Sequence, residues 1–214
     1  MENKNILGRI KSVLSGEIAK PIIVLTAICL IASVALSVTN HYTKDIISDR
    51  AKQDSIKAMQ NLIVADSYET LETASEYMHP VELYTAYKNE TEGKTTVGYI
   101  AKVSVKGYGG DVSVMTAVSP DLTVIGISVL DASSETVGLG QNVTKESFYS
   151  QFSGLKNNIS LVKNGAKAEN NEINAVTGAT ISSRAVKDAV NTALDSFSDT
   201  VFIDNQKSNE SEVA

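Results

Sequence analysis

The sequence predicts an α+β protein: one N-terminal transmembrane helix, then a domain of antiparallel strands packed by helices. Three observations predict it. No residue from Pro21 to Thr43 is formally charged. Successive strand patterns between residues 81 and 131 are joined by connections too short for a parallel crossover. An apolar stripe of helical period, Val186 to Phe197, follows them.

The uncharged stretch, with "PIIVLTAICLIASVALSV" at its heart, spans roughly 34 Å as a helix, enough for a ~30 Å hydrocarbon core. A cleaved signal peptide competes for it, with Ala35-Leu36-Ser37 as a weak cleavage site. Its apolar run, however, exceeds the roughly 7–15 residues of such a peptide. Residues 21–43 are therefore read as an anchor in the cell (inner) membrane. Before it, Ile6, Leu7, Ile10, Val13 and Leu14 share one helical face, so residues 1–20 read as a short segment lying on the bilayer. Lys4, Arg9, Lys11 and Lys20 favour a cytoplasmic N-terminus, and so an extracytoplasmic body, by a narrow margin over Lys44, Arg50, Lys52 and Lys57 beyond the span.

Composition narrows the function. The chain is −6; its first 20 residues carry four basic and two acidic groups, net +2, and residues 21–40 carry none, which leaves −8 on the rest. An acidic body argues against a nucleic-acid partner. A single cysteine, Cys29, excludes a four-cysteine cluster and a disulfide framework, and two histidines, His41 and His79, make a histidine metal centre improbable.

Beyond the anchor, Ile46, Ile47, Ala51, Ile56, Met59 and Ile63 continue a helical pattern, so 44–80 reads as a stalk helix over 41–64 and a connector. A second short helix or loop is expected over 65–80, closed at His79-Pro80. The body is expected over 81–200. "VELYTAYKN" alternates as a strand, and Val97, Tyr99, Ala101, Val103 and Val105 line one face of the next. "DVSVMTAV" and "LTVIGISVLD" follow, turned by Ser119-Pro120-Asp121. A helix is expected over 144–154 with Thr144 as N-cap and Gly154 as stop, a short strand at "ISLVK", a helix over about 182–198, and a disordered tail over 201–214.

Three segments are too rich in glycine and hydroxyls for plain loops: "KGYGGDV" (106–112), "SSETVGLGQN" (133–142) and "VTGATISS" (176–183). The third opens a helix, whose unpaired N–H groups and positive dipole end suit a phosphate. Physics alone leaves two readings of Thr180: a helix-capping residue, or a hydroxyl that carries a group. None of the segments is a P-loop or a dinucleotide fingerprint, and no nucleophile–base pair can be assembled, so no catalytic residue is named.

"VTGATIS" resembles the S/T-G-A-T flavinylation motif of the FMN-binding domain family. The trio GYGG, ETVGLG and TGAT behind one anchor resembles the G subunit of the Rnf electron-transport complex, a close relative of the C subunit of the Nqr complex. The resemblance implies FMN held covalently through a phosphodiester bond to Thr180, with Thr177, Gly178 and Ala179 forming the turn that presents it and Ile181 beside it. It implies that Glu135, Thr136, Gly138, Leu139 and Gly140 line the flavin, with Leu139 on the ring. Gly109 and Gly110 would let the backbone pass near it. It further implies electron relay within an Rnf-type ferredoxin:NAD oxidoreductase, other Rnf subunits as partners, and a flavin transferase for maturation. The alternatives are an Nqr-type flavoprotein, matching the C subunit of that complex, and a non-redox anchored binding or scaffold domain. Two positions depart from the family pattern: Val137 stands where proline is usual, and Asn174 where aspartate is.

Overall fold

The structure, a computed structural model, describes residues 19–71, 81–90, 93–156 and 158–211. Apart from Ala19 and Lys20, the segment expected to lie on the bilayer falls outside these residues, as does the His79-Pro80 stop. Two compact units divide the chain between Lys52 and Gln53. Helix α1 runs through that boundary as one 44-residue helix, Ala19–Leu62, and is long and apolar enough to cross a membrane. Within the apolar stretch, the hydroxyls of Thr26, Ser33 and Thr39 donate to the carbonyls of Ile22, Cys29 and Ala35, so these polar groups are satisfied inside the helix itself.

The unit from Gln53 onward is built on a five-stranded antiparallel meander in the order β1-β2-β3-β4-β5. Its strands are Ser67–Leu71, Val81–Glu90, Gly93–Lys106, Asp111–Val118 and Val124–Asp131. Strand β1 corrects the helix or loop expected after residue 65. Ser67 to Leu71 pair in register with Tyr87 to Leu83, and the Tyr68 hydroxyl donates to Ile63 O at 2.7 Å. Partnership with β2, invisible to a local pattern, decides the conformation there.

Both faces of the sheet are covered. On one lies helix α3, Thr180–Ser211, whose Val186, Ala189, Val190, Ala193, Leu194 and Phe197 are all fully buried. Leu194 and Phe197 alone contribute about 1.5–3 kcal/mol each in apolar burial. Helix α3 runs further than the expected 182–198 and includes residues 201–211 of the expected tail. The other face carries the end of α1: Ala58 and Met59, with Ile63 just beyond, pack on Ala86, Ile100, Met115 and Ala117. By its contacts the compact unit that holds the sheet starts at Gln53, so the last turns of α1 belong to it.

Between β5 and α3 the chain is short-pitched. A 3-10 turn over Gly140–Thr144 leads into the single-turn helix α2, Glu146–Tyr149, and a second 3-10 turn over Ser150–Phe152. This replaces the regular helix expected over 144–154. Thr144 is not its N-cap: its hydroxyl donates to Gln141 O, and Lys145 holds the cap position without a side-chain bond. Gly154, at φ +82°, ends the segment. Strands β6, Ser160–Val162, and β7, Glu172–Asn174, form a small parallel pair. Strand β7 is three residues long, too short to register as an alternating pattern.

Candidate functional site

The three glycine-rich segments converge at the first turn of α3. The β3–β4 turn closes with Gly107 N donating to Gly110 O at 2.7 Å. The loop after β5 winds through Glu135 N to Ala132 O and Leu139 N to Thr136 O. The turn before α3 uses Gly178 at φ +77° and closes with Ala179 N donating to Val176 O at 2.9 Å.

One side chain ties the three together. Glu135 is only 3% exposed. Its Oε1 accepts from Tyr108 N at 2.7 Å and Gly109 N at 3.2 Å, and its Oε2 accepts from Ser182 Oγ at 2.6 Å. Ionised hydrogen bonds of this kind are stronger than neutral ones. The glycines make room for this arrangement. A Cβ on Gly107 would stand 2.1 Å from Glu135 Oε1, on Gly140 2.5 Å from Glu135 Oε2, and on Gly109 2.0 Å from Ser134 O.

The loops enclose a cavity of about 560 Å³, within the usual range for small-molecule sites of roughly 300–1,000 Å³. Of the residues expected at a cofactor, Thr180, Glu135, Thr136, Leu139, Gly140, Gly178, Ala179 and Ile181 line it. Gly109, Gly110, Gly138 and Thr177 do not. Gly109 and Gly110 sit against Ser134, so the close approach they permit is to their own chain. Tyr108 and Ser182 line the cavity and were missed. The aromatic inside GYGG and the second hydroxyl after Thr180 were the available signals.

Apolar side chains remain uncovered at the mouth: Tyr108 is 70% exposed, Leu139 46% and Ile181 49%. Thr180 is the first helical residue, not the cap. Ala179 accepts the first helical bond, from Ser183 N at 2.9 Å, and its methyl puts no capping oxygen over the first-turn amides. The side chain that could have capped is used elsewhere. Ser183 Oγ accepts from Val176 N at 3.0 Å and donates to Ala179 O at 2.9 Å. The Thr180 hydroxyl has no hydrogen-bond partner among the described residues. A small uncapped helix mouth, an unpartnered hydroxyl and an apolar seat fit a flavin bearing a phosphate.

Asn174, six residues upstream, lies apart. Its Oδ1 accepts from Ala166 N at 3.1 Å, its Nδ2 donates to Gln151 Oε1 at 3.3 Å, and it lines a separate cavity with Lys145 and Gln151.

A family model described as "FMN-binding domain" matches residues 107–195, which contain the GYGG, ETVGLG and TGAT stretches. The G subunit of the proton-translocating ferredoxin:NAD(+) oxidoreductase complex of Clostridium ljungdahlii is 32% identical, over 80% of this chain and 86% of that protein. The chain belongs to the G-subunit family of ion-translocating oxidoreductase complexes. Another member, from the Na(+)-translocating ferredoxin:NAD(+) oxidoreductase complex of Acetobacterium woodii, is 32% identical over 80% of this chain and 87% of its own. The corresponding G subunit of the ion-translocating oxidoreductase complex of Methanosarcina acetivorans is 33% identical over 85% and 95%. Among solved structures, NqrC of Shewanella oneidensis is similar at a TM-score of 0.46 and 25% identity, covering 60% of this chain; the chain spans 64% of that protein's length.

Proposed function

We propose that this chain is the membrane-anchored electron-relay subunit of an Rnf-type ferredoxin:NAD oxidoreductase complex, carrying FMN joined by a phosphodiester bond to Thr180. The observation that carries this reading is the Thr180 hydroxyl. It lacks a partner within the described chain, lines the cavity, and opens a helix whose cap position holds no competing oxygen. When bound, FMN supplies the electron-carrying chemistry. The chain's own residues bind and orient it. The first-turn amides of α3 face an anion, Tyr108, Leu139 and Ile181 give the ring an apolar seat, and Glu135 holds the three loops in register. Esterification would join the Thr180 oxygen to the FMN phosphorus, break the phosphoanhydride bond of an activated FMN donor and release the donor's nucleoside monophosphate with the hydroxyl proton, hence a flavin transferase. The other Rnf subunits are the partners in electron transfer. The four basic residues before the span support a cytoplasmic N-terminus and an extracytoplasmic flavin domain.

The test is in-gel fluorescence of the denatured protein under ultraviolet light after co-production with a flavin transferase. The wild type is expected to fluoresce and Thr180→Ala to be dark. A dark wild type, beside a control substrate that the same transferase labels, refutes the covalent reading.

A further inference from the structure

Thr180 lines two cavities. Beyond the apolar one lies a second, of about 390 Å³, between the first turns of α3 and strand β6. Its lining includes Lys163, Arg184 and Lys187 and no acidic residue. Arg184 and Lys187 follow Thr180 by four and seven residues, which places all three on one face of the helix. Three cations around one cleft are unexpected in a body of net charge −8. Lys187 pairs with Asp188, but neither Arg184 nor Lys163 has a counter-ion among the described residues.

The cleft is also braced. Asn191, further along α3, accepts from Ile159 N and donates to Ile159 O, both at 3.0 Å, clamping the start of β6 to the helix. Ala175 N donates to Val162 O at 2.8 Å and closes the floor. Arg184 and Lys163 are exposed and free to meet an anion at this cleft, beside a Lys187 that Asp188 already partly neutralises.

We infer that this cleft is the phosphate subsite of the flavin nucleotide, with Arg184 and Lys187 holding the phosphate oxygens and Lys163 at the rim. The inference rests on the reading that FMN binds at Thr180 and deepens it. Thr180, as the shared wall, puts an ester phosphate at the boundary between the ring's apolar seat and the cations. A guanidinium suits phosphate by its forked donors.

The test uses the full-length chain in detergent, produced without a transferase so that no covalent bond forms, and titrates FMN and riboflavin by quenching of flavin fluorescence. The wild type is expected to bind FMN about tenfold tighter than riboflavin at low salt, the effect of one charge-assisted hydrogen bond. In Arg184→Gln/Lys187→Gln the preference falls to about twofold or less while riboflavin affinity is unchanged, and Arg184→Lys with Lys187 intact recovers most of it. A preference retained in the double variant, or a wild type that binds the two equally or binds neither, overturns the subsite. A measurement needing no variant stands beside these. Inorganic phosphate competes with FMN and leaves riboflavin binding untouched in the wild type; competition against both, or neither, overturns it. Because no step here requires esterification, a dark gel band with an intact FMN preference would sink only the covalent reading.

Discussion

Removing the Glu135 carboxylate measures how far the site depends on one side chain. Glu135→Ala leaves three donors without their acceptor: Tyr108 N, Gly109 N and Ser182 Oγ. The Ser182 hydroxyl is buried, so its loss costs about 2 kcal/mol. The two amides are partly buried and can recruit water, so about 1 kcal/mol each is expected. The sum, about 4 kcal/mol, is a large share of the roughly 5–15 kcal/mol that holds a domain folded. Glu135→Gln keeps the shape. Its amide oxygen accepts from the two backbone amides, its NH₂ faces Ser182, and the serine hydroxyl rotates to accept. Only charge assistance is lost, about 1 kcal/mol. Urea unfolding of the unflavinylated chain in detergent separates the two, followed by tyrosine fluorescence, since the chain has eight tyrosines and no tryptophan. An alanine variant within about 1 kcal/mol of wild type, or a glutamine variant as damaged as alanine, would show that the loops are held some other way.

Two glycines of the site test different physics. Gly109→Ala drives a Cβ to 2.0 Å from Ser134 O and should cost about 2–3 kcal/mol, whereas Gly138→Ala meets nothing within 4 Å and pays only for φ +77°, about 1 kcal/mol; equal unfolding midpoints would contradict this. Asn174→Asp puts a carboxylate against Gln151 Oε1 and should lower stability by about 1 kcal/mol without changing flavin incorporation, because Asn174 does not line the Thr180 cavity. A wild type that incorporates flavin poorly and an aspartate variant that incorporates it fully would reverse that expectation. At the β4–β5 turn, bonds from the Ser119 and Thr123 hydroxyls, with a lesser effect of Lys156, lower the Asp121 carboxyl from 3.8 to about 2. The folded value lies below the unfolded one, so the stability it contributes is complete above pH 3.8 and is lost as pH falls through about 2. A carboxyl NMR titration with its midpoint near the ordinary aspartate value would refute the assignment.

Much of the fold was legible because strong periodic patterns were also the buried ones. The α3 stripe from Val186 to Phe197 and the alternation of Tyr99 to Val105 are set by burial, which leaves its period in the sequence. Val97, expected on the same strand face, is turned to the other by the bulge opposite Ala86 and Tyr87 and packs with Ala86 and Ile100. The edge strand at 67–71 was not legible, since five half-exposed residues become a strand only through β2. Nor was the end of α1 as sheet cover, where Ala58, Met59 and Ile63 looked like the continuing stripe of a stalk. At the site, glycine and hydroxyl spacing singled out the right loops, but it could not separate residues that line the cavity from those that make room behind it. Gly109 and Gly110 belong to the second group and Tyr108 to the first, although they are neighbours. The cationic cleft escaped notice because Lys163 and Arg184 are 21 positions apart and meet only when β6 docks on α3.

Gly98 forms a notch in the sheet. A Cβ there would stand 2.5 Å from Val118 O and 2.9 Å from Ile63 Cδ1. Ile63 is thus seated like a plug where the membrane-derived helix ends, and Leu62 rests over Gly126 beside it. The anchor and the lid of the lower core are one covalent object. Severing the chain between the apolar span and Gln53 would shed a body with its seal intact, whereas severing it after Val64 would pull the plug and wet Ile100, Met115 and Ala117. Any exchange of this anchor for another, by evolution or by hand, has its seam fixed upstream of Gln53.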